Sequence, residues 1–381
     1  MNFATHRWLA LLALAAFALF AHAAGPIRIG SVVSATGSAS IIGDPQLKTL
    51  QMYVDSINRQ GGVLGRQLEL VSYDDTSDVN KANSFTKRLL ANDHVDVIIG
   101  GSMSGAAMSM IPLVEQAEVP FITMAGAISI VEPVKKWVFK TSLTDRIVAE
   151  MVFRNMHKRG ITKIALLSEN SGYGQSGKTQ SEAVAPKYDV QIVAREVYGA
   201  TDVDTTAQLA RIKQDADVQA IFVFGAGQGP AVVTRNYRQL AMTRPLYQSY
   251  AVCSNDFIRL SGEAANGTLL PCTAMLVADA LPDSNPQKAV VSGYATAYRN
   301  LWKSDVSHFG GCAFDALMLY IDAVKRVGST DKAKVRDALE QTKGMVLTAG
   351  TYNMSSTDHM GLDVNAYPML EIRNGSWALA H

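Results

Sequence analysis

Short apolar runs alternate with amphipathic segments along the first third of the chain. The runs are almost continuously hydrophobic, whereas the segments between them repeat apolar residues at the spacing of a helix. In chain order they are IRIGSVV, LKTLQMYVDSINRQ, RQLELVSYDD, KANSFTKRLLAND, VDVIIGG, AAMSMIPLVEQA and VPFITM. Strands that are apolar throughout are typical of a parallel sheet covered by helices on both faces. The pattern therefore predicts a β/α unit of that kind.

A second unit of the same kind begins after Asp145. Its segments are IVAEMVFRNMHKRG, KIALLSE, a helix near 175–186, VQIVAREVY, TTAQLARIKQ, QAIFVFG, AVVTRNYRQL and LYQSYAV. Residues 286–303 and 312–341 are then predicted as helices, and Asn374-Gly375 between apolar runs predicts a tight hairpin. The fold class is α/β, with two doubly wound parallel-sheet lobes. Because ligands of such sheets bind at the carboxyl ends of the strands, we expect a cleft between the lobes.

The N-terminal segment has the features of an export signal. Arg7 precedes an apolar run from Trp8 to Phe20, which is too short to span a membrane, and Ala21-His22-Ala23 matches the small-residue cleavage pattern. We therefore predict a signal peptide over residues 1–23, cleaved after Ala23, and a periplasmic mature protein.

Composition narrows the class of partner. The chain has 35 basic and 34 acidic residues and a net charge of +1, which gives no electrostatic footprint for nucleic acid. The three cysteines are an odd number for an oxidising compartment. Pairing of Cys253 with Cys272 is one option, and buried free thiols, Cys312 included, are the favoured one. The spacing of Cys and His predicts no metal site.

One stretch matches a nucleotide-binding motif. Residues 172–179, GYGQSGKT, fit the P-loop pattern and also G-x-G-x-x-G. An exported protein meets little ATP, and QAIFVFG ends in Gly225 instead of the aspartate that holds magnesium in P-loop enzymes. We therefore interpret the stretch as a glycine turn that enters a helix.

A second loop suits a small anion. GGSMSGAA, residues 100–107, joins the predicted strand VDVIIG to a helix. Free amides at the start of that helix, together with the hydroxyls of Ser102 and Ser104, would hold a carboxylate. The alternative is that either serine simply caps the helix.

Taken together, several segments resemble the periplasmic solute-binding proteins of branched-chain amino-acid ABC importers. They are IRIGSVVSATGSASIIG, INRQGGVLGRQLELVSYDD, VDVIIGGSMSGAAMSMIPLVEQAEVPFIT, SGYG, FGGCAFDAL and TDHMGL. The resemblance implies a type I periplasmic binding fold whose lobes close on ligand about three crossovers. The implied lobe 1 is residues 24–145 plus 273–346, and the implied lobe 2 is residues 146–272 plus 347–381.

The resemblance also implies site residues. Ser104 would bind the ligand carboxylate, Ala125 and Gly126 would offer backbone groups, and Tyr173 would cover the ligand. The family's ammonium-binding threonine and glutamate fall on Ala127 and Ala251. Other expected ligand contacts are Ser40, Ser102, Gly227, Tyr250, Phe309 and Phe314.

An unpaired buried ammonium costs several kcal/mol. The implied ligand is therefore a small carboxylate, with aromatic or hydrophobic acids favoured and branched-chain amino acids as the alternative. The implied partner is an ABC permease in the inner membrane, and a periplasmic sensory module is a further alternative. We expect a monomer without enzymatic activity, cofactor or metal.

Overall fold

The computed structural model describes residues 25–380, so the predicted signal peptide and its cleavage site lie outside the described residues. The first sheet has five strands in the order β2-β1-β3-β4-β5, all parallel. Their bounds are β1 Ile27–Val33, β2 Leu68–Asp74, β3 Val97–Gly100, β4 Phe121–Thr123 and β5 Val138–Lys140. Helices α1 Ser40–Arg59, α2 Val79–Ala91 and α3 Ser104–Ala117 connect the first four strands. With the later helices α9 to α11, given below, this sheet forms lobe 1.

The second sheet has seven strands in the order β14-β13-β10-β9-β8-β6-β7 and forms lobe 2. Strands β6 Lys163–Glu169, β7 Gln191–Tyr198, β8 Ala220–Phe224, β9 Leu246–Gln248 and β10 Leu269–Pro271 are mutually parallel. The helices of this part are α4 Asp145–Lys158, α5 Gly172–Val184, α6 Thr206–Gln214, α7 Gly229–Gln239 and α8 Asn255–Ser261.

The chain then returns to lobe 1 and ends in lobe 2. Helices α9 Lys288–Trp302, α10 His308–Val327 and α11 Lys332–Glu340 are followed by the small hairpin β11 Met345–Val346 and β12 Thr351–Tyr352. Strands β13 Met369–Arg373 and β14 Ser376–Leu379 extend the second sheet in antiparallel fashion. Short 3-10 turns occupy Ile128–Ile130, Ala185–Tyr188, Tyr250–Val252, Gly262–Ala265 and Ala274–Ala280.

The α/β fold with two parallel-sheet lobes is confirmed, as is the C-terminal hairpin. Asn374 and Gly375 adopt φ of 50° and 72° at the tip, the left-handed pair of a tight hairpin turn. The predicted helix over 312–341 is instead two helices. Gly328, with φ of 70°, ends α10, and the Asp331 side chain caps α11 by accepting from the Lys334 N–H.

Cysteine pairing differs from the favoured expectation. Cys253 and Cys272 form a disulfide with their Cα atoms 5.9 Å apart, so the preference for free thiols was wrong for these two residues. Cys312 is a buried free thiol, as expected. The disulfide joins the loop after β9 to the end of β10, and these neighbouring parallel strands bring the two residues together. Sequence separation alone does not reveal that neighbourhood.

Three connections join the lobes. The first runs from β5 through residues 141–144 into α4, and the second leaves β10 at Cys272. The third lies beyond residue 359, because the His359 carbonyl still accepts from the N–H of Lys140 in lobe 1 at 3.0 Å. The Pro368 carbonyl already accepts from the Cys272 N–H at 3.0 Å. The predicted boundaries stay predictions, and we propose that the last one lies near residue 362 and not at 346.

Candidate ligand-binding site

The start of α3 lies at the carboxyl end of β3 and faces the cleft between the lobes. Met103 occupies the N-cap position and makes no side-chain cap hydrogen bond. The amides of the first helical turn are therefore left for another acceptor. Neither Ser102 nor Ser104 caps this helix, which removes the capping alternative.

The two serines of this loop have different partners. The Ser104 hydroxyl accepts from the Ala127 N–H at 3.1 Å and keeps its own proton for a further acceptor. The Ser102 hydroxyl donates to Gln46 Oε1 at 2.6 Å and accepts from the Ser34 N–H at 3.0 Å. Both line the cavity described below, but only Ser104 has a free proton to give to a ligand.

Two carbonyl groups of the loop after β4 already accept hydrogen bonds. The Ala125 carbonyl accepts from Lys140 Nζ and, at 2.8 Å, from the Ser142 hydroxyl. The Gly126 carbonyl accepts from the Asp145 N–H at 3.1 Å. They belong to the two residues whose backbone groups the resemblance assigns to the ligand.

Two tyrosines of lobe 2 form the opposite wall. The rings of Tyr173 and Tyr250 lie 6.1 Å apart at 72°. The Tyr250 hydroxyl donates to the Leu143 carbonyl at 3.2 Å, whereas the Tyr173 hydroxyl is buried without a hydrogen-bond partner among the described residues. Burial raises the pKa of Tyr173 far above its ordinary value, so this hydroxyl remains a neutral donor.

A small cavity lies between these walls. The space open to the centre of a water-sized sphere is about 20 Å³, which suffices for about one water molecule. A carboxylate ligand therefore enters only when the lobes separate and the tyrosine rings move. The lining residues are Ile42, Ser102, Met103, Ser104, Met124, Gly126, Tyr173, Ala226, Tyr250, Ala251 and Phe309.

The positions predicted to lack an ammonium partner belong to this region. Ala251 lines the cavity and is 5% exposed, and the buried Ala127 follows the lining residue Gly126. Both contribute only methyl groups. The wall that would neutralise an ammonium therefore carries no charge at either position.

Five of the expected contact residues do not line the cavity: Ala125, Ala127 and Gly227, which adjoin lining residues, and Ser40 and Phe314. Phe314 packs in lobe 1 against Tyr53, with ring centroids 4.6 Å apart. Gly227 approaches the backbone of Ser38, since a Cβ on it would lie 2.8 Å from the Ser38 carbonyl oxygen. Ser40, at the start of α1, lines a separate outer cleft of about 630 Å³.

Sequence reasoning did not single out Ile42, Met103, Met124 and Ala226, which also line the cavity. Met124 closes the predicted segment VPFITM, and Ala226 directly follows QAIFVFG. The position of Met124 and Ala226 at the ends of strands was the signal that could have identified them.

The nucleotide-motif stretch forms no phosphate-binding loop. Residues 172–179 are the first two turns of α5, and the Ser171 side chain caps the helix by accepting from the Gly174 N–H at 3.2 Å. Thr179 donates to the Gln175 carbonyl within the helix. The stretch is therefore part of the helix itself and not a glycine turn that precedes it, so the interpretation was right only in excluding a P-loop.

The fold and the position of the cleft are those of a known family. A family model described as a periplasmic binding protein matches residues 26–376. The chain belongs to this family. Membership confirms that the protein is not an enzyme, because periplasmic binding proteins bind substrates without transforming them.

Relatives of this periplasmic binding protein indicate its type. The leucine-, isoleucine-, valine-, threonine-, and alanine-binding protein of Pseudomonas aeruginosa is 26% identical over 335 residues, with 87% of each chain covered. The Leu/Ile/Val-binding protein BraC3 of Rhizobium johnstonii is 24% identical over 353 residues, with 91% of this chain and 92% of the relative covered. The chain is thus of the branched-chain amino-acid type.

Solved structures agree with the fold of this periplasmic binding protein. An extracellular ligand-binding receptor from Rhodopseudomonas palustris HaA2 superposes with a TM-score of 0.88 at 28% identity, covering 94% of this chain and all of that one. A branched-chain amino acid transporter substrate binding protein from Streptococcus pneumoniae, in complex with isoleucine, gives a TM-score of 0.82 at 24% identity, covering 93% of this chain and 99% of that one. Between residues 25 and 380, no helix is long and apolar enough to cross a membrane, and no cluster of three or more metal-binding side chains occurs.

The unpartnered Tyr173 hydroxyl leads to a prediction with opposite signs for stability and binding. Tyr173→Phe keeps the ring and removes a buried group whose desolvation is uncompensated, so we expect unliganded stability to stay equal or rise by about 1 kcal/mol. Affinity for a carboxylate ligand should fall about tenfold, because one hydrogen bond to a charged group is lost. Thermal unfolding without ligand and calorimetric titration with ligand measure the two effects. A large loss of unliganded stability would contradict this role of the hydroxyl.

Proposed function

We propose that this protein is the periplasmic substrate-binding component of an ABC importer and that its lobes close on a small carboxylate without an ammonium group. Aromatic and hydrophobic acids are the favoured ligands. The observation that carries the proposal is the commitment of the Ala125 and Gly126 carbonyls to Lys140, Ser142 and Asp145.

The free groups of the site suit an anion. The first-turn amides of α3, the Ser104 proton and the Tyr173 hydroxyl are all donors. A carboxylate accepts such bonds, and the positive end of the helix dipole favours it further. An ammonium has only donors to offer, and the N–H groups at the start of α3 cannot accept from it.

The energetic difference between the two ligand classes is large. Leaving an ammonium buried without a counter-charge or acceptors costs several kcal/mol. Each 1.4 kcal/mol is about a factor of ten in affinity, so such a cost would erase micromolar binding. An acid with an apolar body avoids the cost and still contacts the walls formed by Tyr173, Tyr250 and Phe309.

Branched-chain amino acids are the second candidate ligands. The observation in their favour is that the relatives from Pseudomonas aeruginosa and Rhizobium johnstonii are named for binding them. To bind this ligand class, the site would need other acceptors for the ammonium, because Ala127 and Ala251 stand where the family has its threonine and glutamate.

The remaining parts of the proposal follow from the type of protein. We propose export by the signal peptide with cleavage after Ala23, residence in the periplasm as a monomer, and delivery of the ligand to an inner-membrane permease. Closure requires that the ligand bind the closed form more tightly than the open form, with the three connections absorbing the rotation.

A thermal-shift panel on residues 24–381 tests the ligand class. The panel contains benzoate, 4-hydroxybenzoate, coumarate, 3-phenylpropionate, 4-methylpentanoate, phenylalanine, leucine, isoleucine and valine. A ligand present at 1,000 times its dissociation constant adds about 4 kcal/mol and raises the melting temperature by several degrees. We expect shifts with one or more acids and none with the amino acids. Shifts with the amino acids alone would establish the second candidate instead.

A further inference from the structure

A buried lysine lies directly beneath the candidate ligand loop. Lys140 ends β5, and its side chain is 0% exposed. Its Nζ donates to the Ala125 carbonyl. Ala125 is two residues from Ala127, whose N–H is bonded to the Ser104 hydroxyl. The ammonium thus lies one peptide group behind the loop that faces the ligand.

The groups that face Lys140 only partly balance its charge. Asp145, at the start of α4, attracts it, but the Asp145 carboxylate accepts from the N–H groups of Ile128 and Arg146, and burial raises its pKa. On α10, burial lowers the pKa of His308 to about 3 and raises that of Cys312 well above its ordinary value. His308 and Cys312 are therefore neutral near pH 7.

We propose that Lys140 is a specificity-determining residue, which supplies from behind the Ala125 carbonyl the positive charge that favours anionic over neutral ligands. The inference rests on the proposed function, because it requires a carboxylate in the cavity. A positive charge one peptide group behind the ligand-facing loop, in a site without bulk water, raises the affinity for an anionic ligand over a neutral one by about tenfold or more. Lys140 touches the loop and not the ligand, so it acts by charge and position.

Proton uptake distinguishes this role from simple packing. Burial lowers the pKa of Lys140 to about 7, so near pH 8 the side chain is largely neutral in the unliganded protein. A bound carboxylate favours the ammonium form and raises that pKa. Binding near pH 8 should therefore take up a fraction of a proton, and affinity should fall as pH rises from 7 to 9.

Calorimetric titrations with 3-phenylpropionate and with its neutral amide test the inference. Titrations at pH 8 in phosphate and in Tris report proton uptake, because the two buffers differ in ionisation enthalpy. The proteins are the wild type, Lys140→Met, Lys140→Arg and the control Lys136→Met, which removes an exposed cation from the same segment. The wild type and the control should prefer the acid by about tenfold or more at pH 6, where Lys140 is charged before the ligand binds, and should take up protons at pH 8.

The variants separate charge from packing. Lys140→Met should prefer the acid over the amide about tenfold less strongly than the wild type and take up no proton, because the α3 amides still favour a carboxylate. Lys140→Arg should keep the preference without proton uptake, because guanidinium stays charged. If neither variant folds, two measurements on the wild type test the inference. They are the preference for the acid over the amide and the difference in binding enthalpy between the two buffers. An acid that binds the wild type without preference over the amide, or without proton uptake, overturns the inference and leaves the proposed function standing. Failure of every acid in the panel to bind overturns both.

Discussion

Replacing Gly126 with valine is expected to lower ligand affinity at least about 100-fold, or about 2.7 kcal/mol. In the closed arrangement a Cβ on Gly126 would lie 2.4 Å from a ring carbon of Tyr173 and 2.5 Å from the Tyr250 hydroxyl oxygen. The backbone of Gly126 has no positive φ, and the three atoms nearest to the added Cβ all belong to the wall of lobe 2. The variant should fold and remain open. Titration calorimetry and small-angle scattering with and without ligand measure the loss of affinity and of closure.

Gly293→Ala is the matched control. This glycine lies in α9, and a Cβ there would meet no atom within 4 Å. The control should bind and close like the wild type, and Gly126→Ala should fall between the control and the valine variant. Normal ligand-induced compaction of Gly126→Val would mean that the two tyrosines do not form the closed wall.

The second large effect is a loss of folding stability, which is expected when Asp315 on α10 is replaced with alanine. Its buried carboxylate takes four contacts: the Thr348 N–H at 2.9 Å, the Thr348 hydroxyl at 2.8 Å, the Ala349 N–H at 2.9 Å and the Tyr352 hydroxyl at 2.9 Å. Asp315→Ala leaves the two N–H groups and the Thr348 hydroxyl unpaired and opens a small void, whereas the Tyr352 hydroxyl keeps the Thr141 carbonyl at 2.8 Å as an acceptor. We expect a loss of about 3 kcal/mol or more in the free energy of unfolding, measured by urea denaturation.

Asp322→Ala, on the same helix, is the comparison for Asp315→Ala. Asp322 forms a half-exposed ion pair with Arg326 at 2.7 Å, one turn further along the helix. Such pairs contribute about 0.5 kcal/mol or less. If the two alanine variants lost similar stability, the buried contacts of Asp315 would not hold the β11–β12 hairpin against α10.

Most elements of the fold could be predicted because their apolar runs are continuous and bounded by polar turns. KIALLSE coincides with β6, and IRIGSVV with β1. Strands β5 and β10 were missed because each has only three residues. The equally short β4 and β9 were found because they lie within the longer runs VPFITM and LYQSYAV. Helix α1 starts at Ser40, seven residues before the predicted start. Gly43 looks like a helix breaker, but it is there for packing, since a Cβ on it would lie 2.2 Å from the Ser34 carbonyl.

The candidate site could be predicted only in part from strand-end loops and resemblance. Ser104, Gly126, Tyr173, Tyr250 and Phe309 all line one cavity. Which backbone carbonyls are free depends on contacts between residues far apart in sequence, and no local pattern contains them. The contact between Lys140 and Ala125 is the main example, because a lysine at the end of a short strand gives no sign that it will be buried.

The most direct test of the central claim is a titration with leucine and with 4-methylpentanoate, which is leucine without its amino group. The apolar body and carboxylate are the same, so any difference in affinity belongs to the ammonium. The claim predicts that 4-methylpentanoate binds at least about tenfold more tightly than leucine at pH 7. Tighter binding of leucine would contradict it and would show that the site neutralises an ammonium without Ala127 and Ala251.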